Sequence, residues 1–90
     1  MKTSSTSQEI IKVLGKKGSF TILKALKLRG KRFSELKQFL THATLAKRLK
    51  ELEEVGLIER KVIGARPPYS EYVLTDRGRK VLQTMEEWSQ

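Results

Sequence analysis

The chain has 90 residues, which makes one small domain with a thin core. It has no cysteine and one histidine, which excludes disulfides, thiol catalysis, thiol redox sensing and metal sites built from thiolates or a histidine cluster. The net charge is +9 and unevenly spread: Ile10 to Lys50 carries twelve Lys or Arg against one acid, Glu35, whereas Glu51 to Gln90 carries six against eight. Positive charge gathered in one half of a fold attracts a polyanion. No apolar run approaches the roughly 18 residues of a membrane span, and the polar N-terminus lacks a signal-peptide core, so a soluble, cytoplasmic chain is expected.

Met1 to Thr6 is polar and reads as disordered. A first helix is predicted from about Ser7 to Leu14, with Ile10, Ile11 and Leu14 on one side, and Gly15 to Gly18 breaks it. A second starts at Ser19 as its cap and buries Ile22, Leu23 and Leu26 before Gly30. Lys31 to Phe33 is short and extended. Ser34 is expected to cap a short third helix, with Leu36 and Leu40 four apart. Thr41 caps a fourth helix whose Leu45, Leu49 and Leu52 form a buried stripe opposite Thr44, Lys47, Arg48 and Glu51. Gly56 stops it. Leu57–Ile63 and Glu71–Leu74 read as the strands of an antiparallel hairpin around a Gly64–Ser70 loop with two prolines. Thr75 caps a last helix lined on one side by Gly78, Val81, Leu82, Met85 and Trp88. The order is mainly α with a small β-hairpin: a helix-turn-helix followed directly by a wing, a winged helix-turn-helix spanning residues 1–90.

The fourth helix runs from basic (Lys47, Arg48, Lys50) to acidic (Glu51, Glu53, Glu54), against the helix dipole. Recognition helices enter the major groove with their N-terminal part, so cations belong early and acids belong where the helix leaves the phosphates. Solvated pairs such as Lys47–Glu51 and Lys50–Glu54 account for the same charges without a partner.

"RFSEL", "RLKELEEVGLI" and "PP" followed by "EY-LT--G" together resemble the HxlR-type winged helix-turn-helix regulators, relatives of the MarR group, from about Lys17 to Trp88. The resemblance implies a homodimeric transcription regulator: the fourth helix in the major groove, the wing on the minor groove or backbone, the terminal helices pairing two subunits. Members of that family usually carry a cysteine near the N-terminus, which some use to sense redox state. This chain has none, so that mode does not carry over. Gly18 stands where a tryptophan is common, and Phe20 is expected to take over its packing.

On this reading His42, Ala43, Thr44 and Lys47 are the base-edge candidates. Thr44 suits a thymine methyl and Lys47 guanine acceptors, with Arg48 and Lys50 beside them. Arg66 on the stiff wing tip suits a narrow minor groove, and Arg60 and Lys61 reach phosphate. Lys16, Lys17, Lys31 and Arg32 precede helices and suit backbone contacts. Residues 75–90 form the dimerisation helix, through Val81, Leu82, Met85 and Trp88 with Ile10, Ile11 and Leu14, because one small subunit cannot bury that stripe.

The leading function is a sequence-specific, dimeric DNA-binding transcription regulator, nucleoid-associated and without a cofactor. The alternatives are a non-specific chromosomal or RNA-binding winged helix and a protein-interaction module. RNA readers expose stacking aromatics, whereas Phe20, Phe33 and Phe39 are expected in the core. No nucleophile–base pair or metal cluster points to an enzyme.

Overall fold

The structure, a computed structural model, describes residues 7–88. The expected disorder of Met1–Thr6 and the expected continuation of the last helix through Ser89 and Gln90 lie outside that range. The order is α1 (Ser7–Leu14), α2 (Ser19–Ala25), α3 (Phe33–Leu36), α4 (His42–Glu54), β1 (Ile58–Ile63), β2 (Tyr69–Leu74) and α5 (Asp76–Trp88). It is the expected winged helix-turn-helix: mainly helical, with one two-stranded antiparallel sheet.

Leucine and isoleucine spacing builds the centre. Ile22, Leu23 and Leu26 of the second-helix region meet Leu36, Leu45, Leu49 and Leu52, and Leu57, Ile58, Leu74 and Leu82 close the other side. Each such side chain contributes roughly 1.5–3 kcal/mol on burial. α4 begins where Thr41 Oγ1 accepts from the Thr44 amide at 3.3 Å, and it ends at Val55, before Gly56 takes a left-handed φ of 79°.

β1 and β2 pair from Ile58↔Leu74 to Ile63↔Tyr69, so β2 starts two residues before the expected Glu71 and the loop shrinks to Gly64–Pro68. On the free edge of β2, Lys31 forms a one-residue antiparallel bridge with Tyr72, whose rung partner is Arg60. Its amide donates to the Tyr72 carbonyl at 3.0 Å, and the Tyr72 amide donates back at 2.8 Å. Thr75 seats α5 on the hairpin: its hydroxyl donates to the Gly56 carbonyl at 2.6 Å and accepts from the Gly78 amide at 3.0 Å. Gly78 is buried, and a Cβ there would overlap the Leu57 carbonyl.

Four local expectations are corrected. Ser19 does not cap α2; Gly18 holds that position, and the buried Ser19 hydroxyl donates to the Val13 carbonyl at 2.6 Å. α3 begins at Phe33 rather than after Ser34, because the Glu35 carboxylate accepts from the Arg32 amide at 2.9 Å and fixes the turn two residues earlier. α3 also stops at Leu36, so Leu40 lies in the turn and packs where Gly18 has no side chain, its Cδ1 2.6 Å from the place of a Cβ. Phe20 and Phe33 pack on the core, but Phe39 is 43% exposed, since the chain turns out of α3 before reaching it.

Candidate nucleic-acid interface

The buried stripe of α4 decides what α4 can offer outside. With Leu45, Leu49 and Leu52 inward, Ala43, Ala46, Lys47 and Lys50 fall on the opposite face and are exposed, Thr44 sits half-buried on the flank, and Glu53 and Glu54 follow only at the end. The first turn carries no acid. The face is two small residues and two lysines, low enough to let a helix approach base edges and charged enough to hold phosphates. Ala46 was missed by sequence reasoning, although the leucine period already assigns it to this face.

Side chains around the start of α4 extend the positive surface. Lys17 and Lys37 line a surface notch with Gln38, Phe39, Thr41 and Thr44. His42 lies against Phe33, ring centroids 5.0 Å apart. Next to Phe33, the Arg32 guanidinium lies over the Tyr69 ring, 4.5 Å from its centroid, which fixes that cation beside the rung nearest the wing tip, Ile63↔Tyr69. A chain of contacts thus runs from the wing through α3 to the first turn of α4. Lys37 and Gln38 join the notch from the turn, where residue type alone carried no signal. Arg60, Lys61 and Arg66 are exposed on the hairpin, with Lys61 opposite Glu71 in register; Lys31 is half-buried, and its backbone is engaged with Tyr72.

Two candidates stand elsewhere than expected. Arg48 does not face outward: at 9% exposed, its Nε donates to the Lys17 carbonyl at 2.8 Å and an Nη donates to Glu51 at 2.6 Å. It falls one step beyond Leu52 on the wheel, at the edge of the stripe, and the Lys17 carbonyl waits there. Lys16 is drawn the same way, its Nζ 2.7 Å from the other Glu51 oxygen. Glu51 therefore pairs with Lys16 and Arg48 rather than with Lys47. Lys16 first, then Arg48, hold its carboxyl below the ordinary value against the opposing effect of desolvation. Arg29 and the Arg32 amide likewise lower Glu35 to about 2.

Apart from this surface, α1 and α5 form an apolar groove of about 370 Å³ lined chiefly by Ile10, Ile11, Leu14, Val81, Met85 and Trp88. Ile11 is 66% and Trp88 82% exposed. Leu82 does not belong to this surface: it is 2% exposed and part of the subunit's own core, because position 82 follows buried Gly78 by one turn. Among the described residues no helix is long and apolar enough to cross a membrane, and no group of three or more His, Cys, Asp or Glu can hold a metal ion.

The sequence matches the HxlR-like helix-turn-helix family over residues 13–90. It is 46% identical over 59 residues to BH0655, an HTH-type transcriptional regulator of Halalkalibacterium halodurans. That match covers 62% of this chain and 52% of the relative, so it spans about half of the relative's length. The HTH-type transcriptional regulator YodB of Bacillus subtilis is 35% identical over 83 residues, covering 86% of this chain and 74% of YodB. The structure of reduced YodB superposes with a TM-score of 0.76 at 33% identity, covering 91% of this chain and 86% of that one. The redox regulator HypR in its oxidised form gives a TM-score of 0.77 at 31% identity over 90% of both chains.

Proposed function

Since the chain belongs to the HxlR-like helix-turn-helix family of transcriptional regulators, we propose that its 90 residues work as one sequence-specific DNA-binding domain that acts as a homodimer in the cytoplasm, on the nucleoid. The observation that carries this reading is the outward face of α4: Ala43, Ala46, Lys47 and Lys50 exposed, no acid in the first turn, and Lys17 and Lys37 flanking its start. Ala43, Thr44, Ala46 and Lys47 read base edges in the major groove, and His42 and Lys50 flank them. Lys17, Lys31, Arg32, Lys37 and Lys61 hold the backbone, and Arg66 enters the minor groove. Dimerisation uses α5 and α1 through Ile10, Ile11, Leu14, Val81, Met85 and Trp88. Two-fold symmetry then sets two α4 helices about 34–36 Å apart, or a multiple of that, over a pseudo-palindrome.

Selection of bound sequences from a random duplex pool tests the reading. The expected product is an inverted repeat bound on the order of a thousandfold or more above random DNA. Equal affinity for every sequence would make the protein a non-specific chromosomal binder. No salt-sensitive DNA affinity at all would leave a protein-interaction module.

A further inference from the structure

Lys16 and Lys17 form the turn that leads out of α1, and both are tied to α4 through two side chains. Glu51 sits one turn after Arg48. One of its oxygens accepts from Arg48 at 2.6 Å and the other from Lys16 Nζ at 2.7 Å, while Arg48 Nε donates to the Lys17 carbonyl at 2.8 Å. The Arg48 and Glu51 side chains are 11% and 18% exposed, so solvent screens this clasp less than the surface pairs of the molecule. A carboxylate on a basic groove-facing helix repels phosphate, yet this one lies late in α4 and is engaged by two cations, Arg48 of the same helix and Lys16 of the turn.

The position of the clasp matters more than its charge. α1 ends at Leu14, only two residues before Lys16, and the outer side of α1 belongs to the apolar groove with α5. The clasp therefore joins α4 to the turn that leaves α1, the helix whose outer side lines the proposed dimer surface. Any rocking of α4 against α1 changes the distance and the rotation between the two α4 helices of a dimer.

We propose that Glu51 is a positioning residue that, by gripping Lys16 and Arg48 together, locks α4 to the α1–α2 turn and so fixes the half-site spacing the dimer accepts. The inference rests on the dimeric, groove-reading function proposed above. One added base pair rotates a half-site by roughly 34–36° and moves it about 3.4 Å, which a rigid dimer cannot follow and a loosened one can.

The test measures affinity for the selected operator and for versions with one base pair added or removed between half-sites. The wild type should lose roughly tenfold or more on either change, comparable to a lost base contact. Glu51→Gln should lose less than about threefold, with its affinity for random DNA within about twofold of wild type. Glu53→Gln removes an exposed acid from the same helix and should keep the wild-type discrimination. If Glu51→Gln does not fold, Lys16→Gln removes only the tie to the turn, leaves the Arg48–Glu51 pair inside α4, and should relax spacing in the same way. Undiminished spacing discrimination in both clasp variants, or equal relaxation in Glu53→Gln, would overturn the inference. A wild type that selects no operator would instead overturn the function on which it rests.

Discussion

Helices α4 and α5 are each 13 residues long and each starts behind a threonine whose hydroxyl accepts from the helix's own backbone. They differ in what they leave over. α4 buries three leucines and Arg48 and presents alanines and lysines outward. α5 buries only Gly78 and Leu82, keeps Val81 and Met85 half-covered, and leaves Trp88 on the surface beside Ile11. The core needs one full helical stripe from α4 and only the first part of one from α5. The remainder of α4 is cationic and suits a polyanion, whereas the remainder of α5 is apolar and suits a second copy of the chain.

Ionic strength separates the two surfaces most widely. A dimer making roughly 8–10 phosphate contacts should show a log–log slope of DNA affinity on salt of about −7 to −9. Dimer association through α5 should hold or strengthen over the same range, read by sedimentation without DNA. A DNA slope near −2 would mean that the cations around α4 are not the binding surface. Gly78→Val should come next, destabilising the fold by about 3 kcal/mol in urea unfolding, since the atom that would clash is a backbone carbonyl of Leu57 that cannot turn aside. A near-neutral value would mean that α5 is not seated on the hairpin as described.

Met85→Glu together with Trp88→Glu should give a folded monomer with operator affinity reduced about a hundredfold or more, because the second half-site is no longer tethered. A double variant that still sediments as a dimer would remove α5 from the interface. Lys47→Ala should cost roughly 1–3 kcal/mol on the operator and relax preference at one position per half-site. A uniform loss on all sequences would make Lys47 a phosphate contact. The smallest effect should be Thr41→Ala, about 1 kcal/mol of stability from the cap of α4, with Thr75→Ala costing more because its hydroxyl also donates to Gly56. Equal costs would mean that the bond to Gly56 adds nothing to the seat of α5.

Much of this architecture is legible in residue order. Thr41, Gly56 and Thr75 mark helix ends by chemistry that acts within three or four residues, and the Leu45–Leu49–Leu52 period fixes the inner side of α4 and so its outer face. What escaped depends on partners far along the chain. Arg48 reads as outward by its charge, but the carbonyl it binds belongs to Lys17, 31 positions earlier. Ser19 has the residue type of a cap, yet its hydroxyl is spent on Val13. Leu82 and Trp88 fall in one stripe, and periodicity cannot say which packs inside its own subunit. The exposed Phe39 follows from the early end of α3 at Leu36, and the start of α3 is set by a single carboxylate, Glu35, on the Arg32 amide.

The one-residue pairing of Lys31 with Tyr72 bears on how this protein can change over generations. It anchors the hairpin at the Arg60↔Tyr72 rung, while Gly64–Pro68 lies beyond the last rung, Ile63↔Tyr69. Insertions, deletions and new side chains at the tip leave every rung in place, so the reach and chemistry of the wing are open to drift. Changes near Gly30, where an added methyl would strike Val73, disturb the anchor itself. Descendants of this sequence should therefore vary most in wing length and least in the three residues from Gly30 to Arg32.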